Sequence, residues 1–422
     1  MRFVWLFIAA LGCRAAPIGP QPSEIDSLYP GAEALYMDMH SHPELAFEEK
    51  QTAAKLATRI QGLGYKVTTG VGGTGIVGLL KNGDGPVVML RTELDALPVT
   101  EQTGLPFSSE IAGVMHACGH DLHMAAWAGT AQWMSAHLNQ WQGTLMLIGQ
   151  PAEETGAGAA AMLKDGLFVR FPKPDFAIAL HDDDTLPAGV IGYHAGFFRS
   201  AADFLTVTIF GRGGHGAMPQ NTVDPVVIAA RTIVTWQTII SRETDPQSPA
   251  VITVGAIRGG TKNNIIPDEV QLLLSVRTFD AQVRKRVLQS IARIAKGEAE
   301  AGGAPREPLI EPTAGMQGVE AVYNDPELTS RLAVALRGGM APSAVIEMPA
   351  KMTSEDFSEY GRAGVKSVLL HIGAVDPAKL AESRRTAVPV PAPHSPQWAP
   401  LREPTLKAAV QAEILALLNL LN

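Results

Sequence analysis

The spacing of hydrophobic and polar residues changes near residue 200, and this change divides the chain into two kinds of region. Before this point, stretches with helical spacing alternate with short apolar runs. The helical stretches are 31–63, which Gly64 closes, then 121–137 and 157–163; the apolar runs are 75–80, 87–90, 144–148 and 176–180. Strands that alternate with helices predict a largely parallel sheet covered by helices on both faces.

Beyond residue 200 the pattern indicates a second, smaller unit. Residues 203–210 alternate apolar and polar side chains, as a strand with one exposed face does. A helical stretch at 225–240, strands at 250–257 and 270–277, and a helical stretch at 280–299 follow. This order predicts an α+β sandwich with its own core.

The last part of the chain returns to the first unit. Residues 302–312 are rich in Gly, Pro and Glu and are predicted to be a linker. Helical stretches at 326–336 and 401–421 then enclose a strand at 367–372. We therefore expect an α/β domain whose mixed, mostly parallel sheet is flanked by helices and interrupted by the α+β insert. The predicted limits are 17–199 and 312–422 for the α/β domain and 200–311 for the insert.

The N-terminus has the order of a secretory signal. Arg2 precedes an apolar run at 3–12, and the small residues Ala15 and Ala16 follow. We expect residues 1–16 to be a signal peptide and the protein to be secreted or periplasmic. The alternative is an N-terminal strand, and lipid attachment at Cys13 has weak support from the residues before it. The run is too short to span a bilayer, and no later segment is long and apolar enough to do so.

Composition excludes several classes of protein. Hydrophobic residues make up 46% of the chain and charged residues 18%, which suits a packed core and excludes general disorder. The net charge of −8, with no long basic run, argues against a nucleic-acid partner. Two cysteines, Cys13 and Cys118, are too few for a disulfide scaffold or a Cys-rich zinc module. If the signal is removed, Cys118 is the single thiol and needs burial or a ligand role.

The densest group of chemically active residues lies at 115–123. Cys118 and His120 are two residues apart, just before a predicted helix. A thiolate and an imidazole that converge from one loop suit zinc, cobalt, nickel or manganese. Asp121 is placed to hold an imidazole in one tautomer from behind. The alternative is a core thiol beside the start of a helix.

Two consecutive carboxylates, Glu153 and Glu154, follow the predicted strand at 144–148. In an extended segment their side chains point in opposite directions, so one can bind a metal while the other faces the substrate as a general base. His181 follows another predicted strand and should lie at the same edge of the sheet, where ligands gather in α/β folds. His394 lies in a Pro-rich loop. Taken alone, either histidine is more often an ordinary structural residue than a metal ligand.

Together these segments resemble the M20 metallopeptidase and aminoacylase group, in particular its amidohydrolases that act on N-acyl amino acids, hippurate and auxin conjugates. The resemblance runs from about Leu35 to the C-terminus and rests on nine segments in order. They are 40–45, 91–98, 115–123, 150–154, 213–219, 264–268, 277–278, 354–357 and 394–396. It implies a zinc-peptidase-like catalytic domain with an inserted lid and dimerisation domain.

The resemblance also implies a role for each matched position. Those that match the ligands of a site with two divalent ions per subunit are Cys118, His120, Glu154, His181 and His394. Glu153 matches the general base. His215 matches the histidine that stabilises the oxyanion, often from the neighbouring subunit of a homodimer. Asn264 and Arg277 match residues that hold the substrate. The insert is expected to close over the metals and to form the dimer surface.

This set of roles fits the hydrolysis of an amide. Two divalent ions lower the pKa of water, Glu153 takes its proton and His215 stabilises charge that develops in the transition state. A guanidinium at Arg277 suits a carboxylate next to the scissile amide. We therefore expect a metal-dependent amidohydrolase that cleaves N-acyl amino acids and uses manganese, zinc, cobalt or nickel.

Three other functions remain open. A dipeptidase or carboxypeptidase would use the same two-metal site. A cysteine hydrolase would use Cys118 with His120 or His123, but it leaves the glutamate pair unexplained. A binding module with a decayed site is weaker, because no proposed ligand is missing.

The sequence departs from the family pattern in three places. Residues 92–95 read Thr-Glu-Leu-Asp where the family has Ala-Asp-Met-Asp, and we expect Asp95 to keep a supporting position near the metals. Asp182, Asp183 and Asp184 follow His181 where the family has apolar or aromatic residues. We interpret this acidic triplet as a solvated loop, because runs of charge are normally exposed. Lys262 and Asn263 replace small residues before Asn264. These departures bear on the substrate, which the sequence does not name.

Overall fold

The computed structural model describes residues 19–422, so the predicted signal peptide and Cys13 lie outside the described residues. The helices are α1 (Pro22–Ser41), α2 (Lys50–Gly62), α3 (His120–Ala136), α4 (Gly158–Lys164), α5 (Leu167–Arg170), α6 (Pro225–Thr238), α7 (Ala281–Ala301), α8 (Pro326–Gly339), α9 (Ser358–Arg362), α10 (Pro377–Thr386) and α11 (Arg402–Leu420). The strands are β1 (Lys66–Val71), β2 (Gly75–Asn82), β3 (Val87–Glu93), β4 (Gly143–Gln150), β5 (Phe176–Pro187), β6 (Ile191–Tyr193), β7 (Gly196–Arg199), β8 (Ala201–Phe210), β9 (Gly214–His215), β10 (Ala250–Arg258), β11 (Ile265–Ile266), β12 (Glu269–Thr278), β13 (Leu309–Pro312), β14 (Val322–Asn324), β15 (Val345–Glu347) and β16 (Lys366–Val375).

Eight of these strands form the large sheet, in the order β1-β2-β4-β3-β5-β16-β6-β15. Its centre is parallel, since β3 pairs in parallel with β4 and β5, and β5 pairs in parallel with β16. The β1–β2, β2–β4 and β16–β6 pairs are antiparallel. The predicted mixed, mostly parallel sheet is confirmed.

Helices cover both faces of this sheet because its central strands are apolar on both sides. On β4, Leu145 and Leu147 join the core beneath α1, α2, α3, α8 and α11, whereas Met146 and Ile148 join the core beneath α4, α5 and α9. Neighbouring residues of a strand point to opposite faces, so both layers bury apolar side chains. The ends of the central strands are therefore fixed from two sides.

The single helical stretch predicted at 31–63 is two helices, so that prediction is wrong in its continuity. α1 ends at Ser41 and α2 begins at Lys50. Pro43 explains the break, because it has no N–H and it disfavours helical backbone at His42 before it. Phe47 then adopts a positive φ of 63°. The helical periodicity continues on both sides of a turn that it does not reveal.

A second sheet has the order β10-β12-β8-β13 and is antiparallel throughout. α6 and α7 pack on it, and Val207, Leu272 and Ile291 belong to its separate core. The predicted linker at 302–312 is wrong at its end, because Leu309–Pro312 pairs with β8. Pro312 fits there since β13 is an edge strand. The limits proposed for the insert, 200–311, stay a prediction.

Within residues 19–422, no helix has the length and apolar character that crossing a membrane requires.

Candidate metal centre

The turn between Cys118 and His120 positions the first two candidate ligands. Gly119 has φ 75°, a left-handed conformation that glycine adopts without strain, and α3 begins at the next residue. A Cβ at Gly119 would overlap the Asp182 carboxylate. The glycine therefore lets the start of α3 approach β5, and it brings Cys118 and His120 over the end of the sheet.

The five predicted ligands converge at this point. Cys118 is buried, and its Sγ lies 3.6 Å from Nε2 of His181. Overlapping groups of donor atoms lie within 4.8 Å of one another. These groups are Cys118, His120 and His181; Cys118, Glu154 and His394; and His120, Glu153 and Glu154. The structure thus brings together residues that are up to 276 positions apart, from Cys118 to His394.

The glutamate pair reaches the same place by a different local structure from the one predicted. Glu153 and Glu154 lie in a 3-10 turn after Ala152, whose φ is 52°, and not in an extended segment. The turn directs both carboxylates toward His120, with 3.8 Å from Nε2 to Oε2 of Glu153 and 4.0 Å to Oε1 of Glu154. The prediction that they point in opposite directions is therefore wrong.

Backbone carbonyl groups orient the two central imidazoles. Nδ1 of His120 lies 2.7 Å from the Asp95 carbonyl oxygen, and Nδ1 of His181 lies 2.8 Å from that of Asp182. A carbonyl oxygen only accepts, so each Nδ1 donates and each Nε2 is left with a lone pair for a metal. Asp95 also accepts a hydrogen bond from the Glu154 backbone N–H at 2.9 Å. It lies where we expect a supporting residue.

The remaining polar atoms of this group fit a cation. Among the described residues, Nε2 of His120, Oε1 of Glu154 and Oδ1 of Asp95 are buried without a hydrogen-bond partner. Burial raises the pKa of Glu154 to about 7, and it raises the pKa of Glu153 far above its usual range with help from Glu355. Buried anionic donors that repel one another become stable when a divalent ion lies between them. Thiolate, imidazole and carboxylate donors suit the ions that the sequence predicts.

Asp121 and His123 lie beside this group and are committed to other contacts. Asp121 Oδ2 lies 2.6 Å from Nδ1 of His40, which is not one of the predicted ligands. Nδ1 of His123 lies 3.0 Å from Glu93, and its Nε2 accepts from the Asp182 backbone N–H at 2.9 Å. Because both ring nitrogens of His123 are occupied, this imidazole has no lone pair left to act as base for Cys118.

A buried arginine that has no assigned role in the sequence analysis ties the surrounding loops together. Arg91 donates from Nη2 to Glu355 at 2.7 Å and to Asp356 at 2.9 Å, and it also pairs with Glu93. Gln150, which precedes the glutamate turn, donates to the same Asp356 oxygen at 2.7 Å. Arg91 and residues 354–357 lie in segments that carry the family resemblance, so the resemblance could have indicated this network from the sequence.

The acidic triplet is not the solvated loop that we predict from the sequence. β5 continues through these residues and leaves Asp182 2% and Asp183 1% exposed, whereas the Asp184 side chain is 27% exposed. Asp182 accepts from Nε1 of Trp398 at 3.0 Å. Asp183 accepts from His371 at 2.5 Å and from Lys351 at 2.6 Å. The charges are buried because partners from β16 and two loops neutralise or hydrogen-bond them, and the sequence pattern shows none of these partners.

A cavity of about 890 Å³ opens beside the candidate ligands. Arg277 of β12 lines it and donates to Ser354 at 2.6 Å and to Ser275 at 3.1 Å. Burial lowers the pKa of Arg277. The guanidinium also lies over the ring of Phe204, and since its hydrogen-bond partners are neutral hydroxyl groups it can still receive an anionic group of a substrate.

His215, the predicted oxyanion-stabilising residue, and Asn264, the other predicted substrate-binding residue, lie elsewhere. His215 pairs with Ile265 in the β9–β11 ribbon, and Asn264 directly precedes this pair. Both side chains are exposed. Of residues 19–422, those that line the cavity include Arg277 but neither His215 nor Asn264. One chain alone therefore does not bring these two residues to the metal centre.

Comparisons with known proteins place the chain in a family. The model of peptidase family M20/M25/M40 matches residues 89–387. A hippurate hydrolase of Campylobacter jejuni is 39% identical over 66% of this chain and 72% of its own. A thermostable carboxypeptidase of Saccharolobus solfataricus is 34% identical over 76% of this chain and 80% of its own. A solved Bacillus subtilis structure, described as a dinuclear metal-binding peptidase from the M20 family, has a TM-score of 0.75 at 27% identity and covers 94% of this chain and 99% of that one.

The matched region contains four of the five converging ligands, together with Glu153 and Arg277, and it extends through the second sheet. The resemblance seen in the sequence is confirmed. The chain belongs to peptidase family M20/M25/M40 and is a metal-binding amidohydrolase that acts on linear amides.

Proposed function

We propose that this protein hydrolyses N-acyl amino acids and releases the amino acid. The observation that carries the proposal is the convergence of Glu153 with the five candidate metal ligands beside a cavity that contains Arg277. A buried carboxylate next to a metal centre suits proton transfer, and an arginine in the cavity suits the α-carboxylate of an amino acid. The hippurate hydrolase relative supports this substrate class.

In the proposed site, the metal ligands and Glu153 have separate chemical roles. Cys118, His120, Glu154, His181 and His394 would hold two divalent ions, which when bound would supply the Lewis acidity that lowers the pKa of water and polarises a carbonyl group. Glu153 accepts the proton of the attacking water and gives it to the leaving amine. Burial and Glu355 raise the pKa of Glu153, which makes its carboxylate a stronger base.

The test of this mechanism is Glu153→Gln in the metal-loaded enzyme. The amide keeps the size of the side chain but takes no proton, so kcat for N-acetyl and N-benzoyl amino acids should fall by roughly 10²–10⁴-fold. Glu110→Gln is the matched control, because the Glu110 side chain is 71% exposed and contacts His42, which is not a candidate ligand. Wild-type kcat in Glu153→Gln with full metal content would exclude the mechanism.

A carboxypeptidase or dipeptidase is the second candidate, and the carboxypeptidase relative favours it. The same ligands and the same Glu153 would serve a peptide bond. A panel of N-acetyl amino acids, N-benzoyl amino acids, dipeptides and blocked dipeptides separates the functions. A requirement for a free α-amino group identifies a dipeptidase, whereas efficient cleavage of N-acetyl amino acids supports the first proposal.

We further propose that the active form is a homodimer in which the neighbouring subunit supplies His215 and Asn264. Two observations support this. Both residues are exposed on the β9–β11 ribbon of their own chain, and β10 is an edge strand of its sheet on which Ile257 is 62% exposed. A symmetric contact through this edge would cover apolar surface and carry each ribbon to another chain's cavity.

Export and metal identity are also proposals. We propose that residues 1–16 direct secretion and are removed, which N-terminal sequencing of the exported protein tests. We propose that manganese, zinc, cobalt or nickel occupies the site, and metal analysis of the mature protein followed by reconstitution identifies which ion supports turnover.

A further inference from the structure

Resting on the proposed function, we propose that Arg199 is a second anion-binding residue of the cavity, so that the preferred substrates carry a second carboxylate in addition to the one at Arg277. Arg199 ends β7 and lines the same cavity as Arg277. The family resemblance assigns it no role.

The guanidinium of Arg199 is buried but mostly unsatisfied. The residue is 6% exposed, and its one side-chain hydrogen bond runs from Nε to Nε2 of His371 at 3.1 Å. Within residues 19–422, no carboxylate lies within 4.0 Å of it, and Nη1 and Nη2 have no hydrogen-bond partner. Neither nitrogen is fully enclosed by protein, and because Arg199 lines the cavity, a ligand in the cavity can reach both of them.

A chain of three buried side chains holds Arg199 in this position. Asp183 accepts from Nδ1 of His371, which leaves the Nε2 lone pair to accept from Arg199. Because Nδ1 donates to Asp183 and Nε2 accepts from the guanidinium, the imidazole of His371 carries a single ring proton and is neutral. A neutral imidazole fixes the guanidinium without cancelling its charge.

Lys351 completes this arrangement by neutralising Asp183. Its Nζ lies 2.6 Å from Asp183 Oδ2, and the backbone bridge between Arg199 and Lys351 places the two residues side by side. Asp183 is therefore occupied by Lys351 and His371 and is not free to pair with Arg199. Asp183 therefore supports a positive group that consists of Arg199 and Lys351.

Comparison with Arg91 shows why a purely structural role for Arg199 is insufficient. Arg91 is fully enclosed and meets three carboxylates, as a buried charge normally requires. Arg199 is nearly as buried but meets one neutral ring. The free Nη1 and Nη2 atoms form a planar fork that matches a carboxylate in two parallel hydrogen bonds.

The second carboxylate has two chemical sources. It belongs either to an acidic side chain of the released amino acid or to a dicarboxylic acyl group. Both place an anion at a fixed distance from the α-carboxylate, and N-acetylglutamate and N-succinylleucine represent them. N-acetylleucine, with one carboxylate, is the reference substrate.

The first experiment measures binding to the holoenzyme by calorimetry. Malonate, succinate, glutarate and adipate are compared with butyrate. At least one dicarboxylate should bind roughly ten- to hundred-fold more tightly than butyrate, as charge-assisted hydrogen bonds to a buried group predict, and Arg199→Gln should remove that difference. Equal binding of all five acids to the wild type would overturn the proposal, and this outcome does not depend on whether the variant folds.

The second experiment measures kcat/KM for the three substrates in the wild type, Arg199→Gln and Arg199→Lys. We expect a preference for one dianionic substrate, a fall in the ratio of dianionic to monoanionic kcat/KM of at least ten-fold in Arg199→Gln, and partial rescue by Arg199→Lys. The arm that is preferred identifies the source of the second carboxylate. Cleavage of N-acetylleucine with no change in ratio refutes the role of Arg199 while the proposed function stands. If none of the three is cleaved, the proposed function fails, and the binding experiment still decides the role of Arg199.

Discussion

The end of the large sheet and the β9–β11 ribbon both carry residues that we propose to act in catalysis, but they differ in how far those residues are buried. At the sheet, Cys118, His120 and His181 are buried and oriented by the backbone of one chain. On the ribbon, His215 and Asn264 are exposed and contact no ligand of the metal centre. Central strands covered on both faces hold side chains to fixed positions, whereas a two-residue pairing at the surface does not. One chain therefore brings the candidate ligands together but leaves His215 and Asn264 away from them.

The largest expected effect is on the free energy of unfolding, which we expect to depend more on buried charges at the end of the large sheet than in the smaller unit. Arg91→Leu leaves three buried carboxylates without their cation and should lower the free energy of unfolding by about 3–5 kcal/mol. The matched change in the smaller unit is Arg284→Leu, which removes partly exposed pairs with Asp203 and Glu320 and should cost about 1 kcal/mol. Urea denaturation of both variants measures the difference. Equal losses would show that the sheet end is no more dependent on its buried charges than the insert.

The next prediction tests whether the ribbon acts on another chain. His215→Ala should lower kcat by roughly 10²–10³-fold, as loss of an oxyanion contact does. Mixing it with Glu153→Gln under conditions of subunit exchange should restore about a quarter of wild-type activity, because half the dimers are mixed and each has one intact site. Activity of the mixture that equals the mean of the two separate variants would mean that His215 does not act across a dimer.

The resemblance and the predicted elements were enough to predict that these side chains converge, because Cys118 precedes a predicted helix and Glu154 and His181 follow predicted strands. The local path between them was not predictable. Ala152 adopts a positive φ that the sequence pattern does not predict. This conformation turns the carboxylates of Glu153 and Glu154 toward the same side. The burial of Asp183 was not predictable for a related reason, since its partners Lys351 and His371 lie 168 and 188 residues away in sequence.

The third prediction concerns a buried charge network next to the metal centre. His40 contacts Asp121 and Glu101, and although burial opposes it, these carboxylates raise the pKa of His40 to about 9. A raised pKa in the folded state stabilises the protein fully below about pH 6.5, and this stability is lost as the pH rises to 9. The loss should amount to about 3 kcal/mol.

The measurement is the free energy of unfolding between pH 6 and pH 9.5. His40→Gln is the control, because it keeps a hydrogen-bonding side chain but does not titrate. The difference between the two profiles should shrink as the pH rises. Parallel profiles would show that His40 carries no extra proton in the folded protein.

The smallest effect compares two glycines with the same backbone conformation. Gly119 and Gly303 have φ of 75° and 70°, but a Cβ would overlap Asp182 at the first and meet nothing within 4 Å at the second. Gly303→Ala should cost about 1 kcal/mol from backbone strain alone. Gly119→Ala should cost more, by about 1–3 kcal/mol, and should weaken metal binding because it moves Cys118 and His120. Thermal unfolding and metal titration check both variants, and equal costs would contradict the close approach of α3 to β5.

Metal content per chain tests the central claim most directly. Purified, metal-replete wild-type protein should contain two equivalents of divalent ion by mass spectrometry. The double variant Cys118→Ser, His181→Ala should lose metal, whereas His215→Ala should retain both equivalents. Loss of metal in His215→Ala, or two retained equivalents in the double variant, would contradict the assignment of the metal centre to the end of the large sheet.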